Sequence, residues 1–571
     1  MSMSTDSRTL QQRTPLAHNA TSRMPADYQT LRFSYQRPPD FGQSPAAHYP
    51  VVVVGAGPVG LVTAIDLARQ GLKVVLLDDD DCLSGGSRAL CYAKRTLEVL
   101  DRLGCGDRVV EKGVSWNVGK VFFRDEPVYQ FNLLPEEGHH RPAFVNLQQY
   151  YLEGYLHECA SSYPNLDIRW KSKVTQLENS DAKASVTVTT PEGNYILSAD
   201  YVIAADGARS PVRNMLNLES KGRVFQDRFL IADVKMKAPF PAERWFWFDP
   251  PFHPNQSVLL HREADDVWRI DFQLGWDADP ELEKTPERVI PRVRALLGDD
   301  VEFDLEWVSV YTFACMRMEK FRHGRVIFAG DAAHGVSPFG ARGANSGVQD
   351  ADNLGWKLGL VLRGEAPVTL LDTYAVEREY AADENILNST RATDFITPKS
   401  AISRVFRDAV LSLSKHHAFA QKLVNSGRLS MPSTYLNSPL NTADADNFVG
   451  LMRPGAPAAD GPVLTAHGER QWFLQRVGDR FTTVFFTDVY SPAAEISQAP
   501  VVQVLPAGAS VPSHANAIVD VDGLLAARFD ARPGTTYLLR PDQHVAARWR
   551  KFDPTRVKAA WSRATGQELK H

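Results

Sequence analysis

VVVVGAGPVG, residues 51–60, sets four valines directly against three glycines. Val51–Val54 has the β-branched, apolar character of a strand buried in a parallel sheet. Gly55 permits a tight turn, Gly57 lets the backbone approach a pyrophosphate, and Gly60 lets the following helix pack against its strand; Pro58 lies in the same loop. Leu61–Gln70 carries Leu61, Ala64, Ile65 and Ala68 on one face of that helix, whose N-terminal N–H groups point at the phosphates. A second apolar run, Val74–Leu77, ends at Asp78, a carboxylate placed to accept hydrogen bonds from an adenosine ribose. This is a Rossmann-like α/β unit for a dinucleotide, and NAD satisfies it as well as FAD does.

Two further strand-and-turn motifs follow. Tyr201–Ala205 (YVIAA) delivers Asp206-Gly207 to a turn, followed by Ser210, Arg213 and a helical start. Ile327–Ala329 delivers Gly330-Asp331, and the chain then runs through Pro338-Phe339-Gly340-Ala341-Arg342-Gly343-Ala344-Asn345 into a helix. Together the motifs resemble the single-component FAD-dependent aromatic hydroxylases, typified by p-hydroxybenzoate and phenol hydroxylases, over about residues 50–395. The resemblance implies FAD as cofactor, with Gly330-Asp331 at its ribityl chain and the backbone of Gly340, Gly343, Ala344 and Asn345 at the flavin ring. It implies Arg88 at the flavin nucleotide, where paired guanidinium donors suit a pyrophosphate, and Gln149 near the flavin. Asp206 and Arg209 belong to a turn that the family links to both FAD and NAD(P)H. Pro338, rigid and without an N–H, fits a wall between flavin and substrate. The chain departs from the family at Ala341, where a second glycine is common and a methyl group restricts positive φ, and at Arg342, where glutamine is common. Arg342 is either a cation near the flavin N1 and C2 carbonyl or a solvated side chain.

A chain of 571 residues exceeds one core, so several domains are expected. The reading is an extension at 1–49 that is flexible or wraps over its neighbour; a discontinuous FAD-binding domain at 50–225 and 315–395; an inserted β-sheet substrate domain at 226–314; a helical linker at 396–449; and a C-terminal domain at 450–571. The last resembles the thioredoxin-like domain of the phenol hydroxylase branch, including Leu539-Arg540-Pro541-Asp542 followed by His544 and Arg548. No cysteine follows Cys315, so dithiol exchange is excluded there, and an architectural or homodimer-contact role is the better expectation. Cysteines 82, 91, 105, 159 and 315 show neither metal-ligand pairing nor a disulfide framework, which suits a reducing, cytoplasmic location without a bound metal. A net charge of −5 gives no balance favouring nucleic acid, and no apolar stretch reaches the roughly 20 residues of a membrane span.

Within 226–314 the strand-like segments Arg244–Phe248 (RWFWF), Gln256–His261 and Val267–Leu274 are rich in aromatics, which suits a planar apolar ligand. Trp245 and Trp247 point to one face and Phe246 and Phe248 to the other; Trp247 is taken as a pocket residue, with His253 and His261 as polar contacts. The implied reaction is hydroxylation of a phenolic or related small molecule through a flavin C4a-hydroperoxide, with NADH or NADPH as donor and O2 as co-substrate. A base or proton relay is required, and the sequence singles out no residue for it. The alternative is an FAD-dependent dehydrogenase or reductase on the same frame.

Overall fold

A computed structural model of the protein describes residues 28–85, 89–238, 240–424, 429 and 431–568. The valines lie in the strand Ala47–Val54, paired in parallel with Val74–Leu77 on one side and Gly193–Ala204 on the other. Leu166–Arg169 and Val326–Phe328 extend the same parallel sheet. Val51, Val52 and Val53 have no exposed surface, as strands covered on both faces require. In this sheet Val54 is in register with Ala204, and Ala204 with Phe328. The three strands that carry the glycine and aspartate motifs therefore end side by side.

Residues 1–27 of the N-terminal extension lie outside the described residues. From Tyr28 onward the segment lies along the outside of this domain: Tyr28 packs edge-on against Tyr151 and Tyr155, Phe33 stacks on Trp170 at 4.1 Å, and Asp40 pairs with the buried Arg169 at 2.9 Å.

A second, eight-stranded sheet runs in the order His334–Gly335, Asp304–Met318, Ser220–Lys235, Val267–Leu274, Ser257–Arg262, Arg244–Phe248, Val118–Phe123, Glu126–Asn132. Its last two strands come from well before residue 226, and Val118–Phe123 joins in parallel with Arg244–Phe248. Such a long-range pairing leaves no local trace in the sequence. One face packs under the helix Pro286–Leu297 in a cluster with Trp247, Trp268, Ile270, Phe272, Val289 and Val293. The other face turns toward the FAD-type domain. Beyond residue 450 a seven-stranded sheet has the order Arg470–Trp472, Pro462–Thr465, Ala517–Asp520, Val501–Pro506, Thr482–Phe486, Thr536–Leu539, Val545–Trp549, with a final helix Pro554–Ala564.

Candidate functional site

The site is built from the turns that leave the adjacent strand ends. Gly55 has φ +102°, and a Cβ there would lie 2.5 Å from the carbonyl oxygen of Ala205, so only glycine fits. A Cβ on Gly57 would meet nothing within 4 Å: this part of the loop borders open space where a phosphate group can approach. The helix Pro58–Arg69 begins there, with its dipole directed at that space. Asp78 accepts from Ala56 N (2.6 Å) and Asp80 N (2.8 Å). Burial pushes its carboxyl up to about 6, against the lowering effect of those two N–H groups.

Asp206 accepts from Val212 N at 2.9 Å through Oδ2, and its buried Oδ1 has no partner among the described residues. Arg209 is exposed on the same turn. Arg213, quoted in the motif but given no task by sequence, donates to Ala332 O (2.9 Å) and Ala208 O (2.7 Å) and so ties the two aspartate turns together. Gly330 has φ +62°, and Asp331 beside it is exposed toward the same space. Behind them, Asp350 accepts from Gly330 N (2.9 Å) and Arg378 Nε (2.6 Å), and pairs with His334 Nε2 at 2.7 Å. Those neighbours hold the Asp350 carboxyl below its ordinary value although it is buried.

Pro338 is exposed and Gly340 is buried, and Gly343 and Ala344 open the helix Gly343–Leu362. The Asn345 amide staples this loop to the strand Cys91–Ala93: Oδ1 accepts from Ala93 N (2.8 Å) and Thr96 Oγ1 (2.6 Å), and Nδ2 donates to Cys91 O (2.8 Å). Ala341 adopts φ +52° despite its methyl group. Arg342 is buried and donates to Asn385 at 3.3 Å, a placement that is not that of a solvated side chain. Gln149 accepts from Ala89 N (2.9 Å) and donates to Glu153 (2.7 Å), which in turn binds Ser84 N (2.7 Å), so it ties Ser84 and Ala89 to its own helix. Arg88 itself lies outside the described residues.

Above these turns stands the second sheet. Phe339 packs against Phe229 (4.8 Å) and Phe313 (5.6 Å), in a cluster that includes Phe246 and Phe248. Nearby, Cys91 Sγ lies 3.8 Å from His261 Nδ1. Burial pushes the thiol up to about 11 and the imidazole well down, so the pair is uncharged near neutrality. Trp247 and His253 are not brought to this face: Trp247 stacks on Phe122 at 5.1 Å in the cluster under Pro286–Leu297, and His253 Nε2 lies 2.7 Å from Gln273 O, with its ring against Phe272. The phenylalanines of RWFWF, not its tryptophans, face the cofactor loops.

The C-terminal region closes the back of the site. Arg540 binds Glu377 (2.6 and 3.0 Å) and Asp542 (3.0 Å), Lys357 binds Glu377 (2.7 Å), and Arg95 reaches Asp352 (3.0 Å) and Asp542 O (2.6 Å). All of these side chains are buried.

The FAD binding domain family matches residues 48–389. The 6-methylpretetramide 4-monooxygenase of Streptomyces rimosus is 29% identical over 526 residues, spanning 89% of this chain and 92% of that protein. The probable NADH-specific resorcinol 4-hydroxylase of Rhodococcus jostii (strain RHA1) is 31% identical over 480 residues, spanning 81% and 88%. The crystal structure of the flavin-dependent monooxygenase PieE in complex with FAD and substrate has a TM-score of 0.77 at 22% identity, over 92% of this chain and 100% of that one, a likeness of fold.

Proposed function

Because the chain belongs to the FAD-binding family of aromatic monooxygenases, we propose that it hydroxylates a phenolic small molecule with FAD as cofactor, NADH or NADPH as electron donor and O2 as co-substrate. The observation that carries this reading is the convergence of three motif turns at neighbouring strand ends, beneath an aromatic sheet face. The residues fit the cofactor: an open cradle at Gly57, an orphaned buried oxygen on Asp206, and an exposed Asp331 border one space. Gly55, Gly57, Pro58, Gly60 and Asp78 would hold the adenosine and pyrophosphate end, and Asp206, Gly330 and Asp331 the middle. Gly340, Gly343, Ala344 and Asn345 would hold the ring, with Pro338 at its edge. FAD, when bound, supplies the oxygen-activating chemistry. The protein positions the ring and excludes water, a task for which Phe246, Phe248, Phe229, Phe313 and Phe339 are suited.

The names of the relatives give no support to the reductase alternative. The sheet order of the C-terminal region, with Ala517–Asp520, Val501–Pro506 and Thr482–Phe486 parallel, Thr536–Leu539 and Val545–Trp549 following antiparallel beside Thr482–Phe486, and a closing helix, supports the thioredoxin-like reading. Its dense ionic joint supports an architectural role. All five cysteines are free, in keeping with a cytoplasmic setting, and no helix of the described residues is long and apolar enough to cross a membrane.

Purified protein incubated with FAD, NADH or NADPH and a phenol panel should consume the reduced nucleotide in a phenol-dependent way and yield a product one oxygen heavier. Consumption with no hydroxylated product would reject the reading. Asp331→Ala should purify with little flavin, and full occupancy in that variant would remove Asp331 from the cofactor site.

A further inference from the structure

Phe246, Leu259, Asp271, Ile231 and Ser309 form one row across the second sheet, each in register with the next. Directly opposed residues share a face. On one side of this row stand Gln273, Phe229 and Tyr311, and Phe229 touches Phe339 of the cofactor loop. On the other stand His261, Arg269, Asp233 and Trp307, and His261 touches Cys91. Asp271 is thus on the face turned to the cofactor loops, between its two points of contact. It is deep within the protein yet keeps accessible surface, as do Phe246, Ser309 and Tyr311, so these side chains border an internal space.

The polar groups on that space are not used up by the protein. Asp271 Oδ1, Ser309 Oγ and Tyr311 OH are buried and have no hydrogen-bond partner among the described residues. The neighbouring Arg269 is committed to Asp233 (2.8 Å, twice) and Glu263 (3.2 Å). A buried carboxylate without a donor is costly to folding, and the cost is removed when a ligand supplies the donor.

We propose that Asp271 binds the ring hydroxyl of the substrate and accepts its proton, which makes the substrate class a phenol bound with its hydroxyl un-ionised. This rests on the hydroxylase reading above. A ring carrying a carboxylate at the same point would set two like charges against each other. In the proton step the phenol O–H bond breaks, an O–H bond forms on Asp271, and the bonding pair stays on the phenol oxygen. The electron-richer ring is the better nucleophile toward oxygen, as general-base assistance requires. Burial raises the Asp271 carboxyl to about 6, opposed by Arg269 and Arg244 and reinforced by Asp233, so the base is ionised above that pH. His261, Glu263, Tyr311 and Tyr129 are further titratable groups on this face, with Cys91 facing them from the cofactor side.

The test uses full-length, FAD-loaded wild type and Asp271→Asn with resorcinol, 4-nitrophenol and 1-naphthol. For wild type, kcat/KM should rise with pH through about 6. In Asp271→Asn it should fall at least about tenfold and lose that limb, with flavin content unchanged. An Asn variant that keeps the wild-type rate and pH limb overturns the assignment. A second measurement needs no variant: 1-methoxynaphthalene, which lacks the donor, should bind wild type at least about tenfold more weakly than 1-naphthol by flavin fluorescence. Equal binding overturns the assignment. Wild type that turns over none of the three phenols contradicts the hydroxylase reading, and the inference falls with it; an active wild type matched by Asp271→Asn contradicts the inference alone.

Discussion

Two buried polar clusters flank the cofactor loops, and they are built in opposite ways. At the joint between the C-terminal region and the helices behind the site, both carboxylate oxygens of Glu377, Asp352 and Asp542 accept hydrogen bonds, from Arg540, Lys357, Arg95, Arg102 and Asn353 among others. On the sheet face, Asp271, Ser309 and Tyr311 lie in enclosed surroundings with orphaned oxygens. At the joint every one of these carboxylate oxygens is paired without any ligand, and the buried atoms of these side chains left without a partner among the described residues, Arg95 Nε and Arg102 Nε, are nitrogens. The sheet face is incomplete until something with a donor enters it.

The largest expected effect comes from breaking the paired cluster. Arg540→Ala leaves Glu377 and Asp542 without their main partner and should cost on the order of 3–5 kcal/mol in chemical denaturation. The cluster also sets an acid limb. Glu377 and Asp542 are held below the usual carboxylate range by Arg540, so their stabilisation is present above the unfolded value and lost as pH falls below about 4.5. In Arg540→Ala, stability measured across that window should depend less steeply on pH.

Asp271→Asn should have the opposite sign. Its carboxyl is raised above the unfolded value of 3.8, so the wild type loses stability as pH climbs from there to about 6 and bears the full cost above it. The variant should be more stable by about 3 kcal/mol at pH 8 and nearly indistinguishable below pH 4, even as it loses activity. A variant less stable at both pH values would place Asp271 among the structural groups.

Smaller effects separate the two faces of RWFWF. Phe246→Ala should raise KM about tenfold, a loss near 1.4 kcal/mol. Trp247→Phe should leave KM unchanged and cost about 1–2 kcal/mol of stability. The smallest change is Ala341→Gly, which relieves a left-handed alanine and should stabilise by at most about 1 kcal/mol, read as a rise in Tm.

The cofactor frame was legible because it is local: strand, glycine turn, helix and terminal acid lie within Val51–Asp78, and the two later motifs repeat the pattern of apolar run and turn. The alternation of RWFWF also foretold that its tryptophans and phenylalanines part company. Which pair meets the cofactor side was not legible, since it depends on where the helix Pro286–Leu297 packs. Val118–Phe123 and Glu126–Asn132 form a hairpin with each other, but its place in this sheet was not legible because the strand that Val118–Phe123 joins, Arg244–Phe248, lies far along the chain. Asp271 gave no signal at all: in VWRIDFQL it reads as one polar residue of an alternating strand, and only the register with Phe246 and Ser309 and the missing donor distinguish it. Arg540 and Asp542 were visible as a motif, but their partners Glu377 and Asn353 lie on distant helices.

The most direct test is to locate a bound ring. FAD-loaded crystals soaked with 4-bromophenol, at a concentration shown by titration to saturate the protein, should give an anomalous bromine peak between Phe246, Asp271 and Ser309 on one side and residues 338–345 on the other. Bromine on the tryptophan face near Trp247 and His253, or no peak in that space at saturation, would contradict the account.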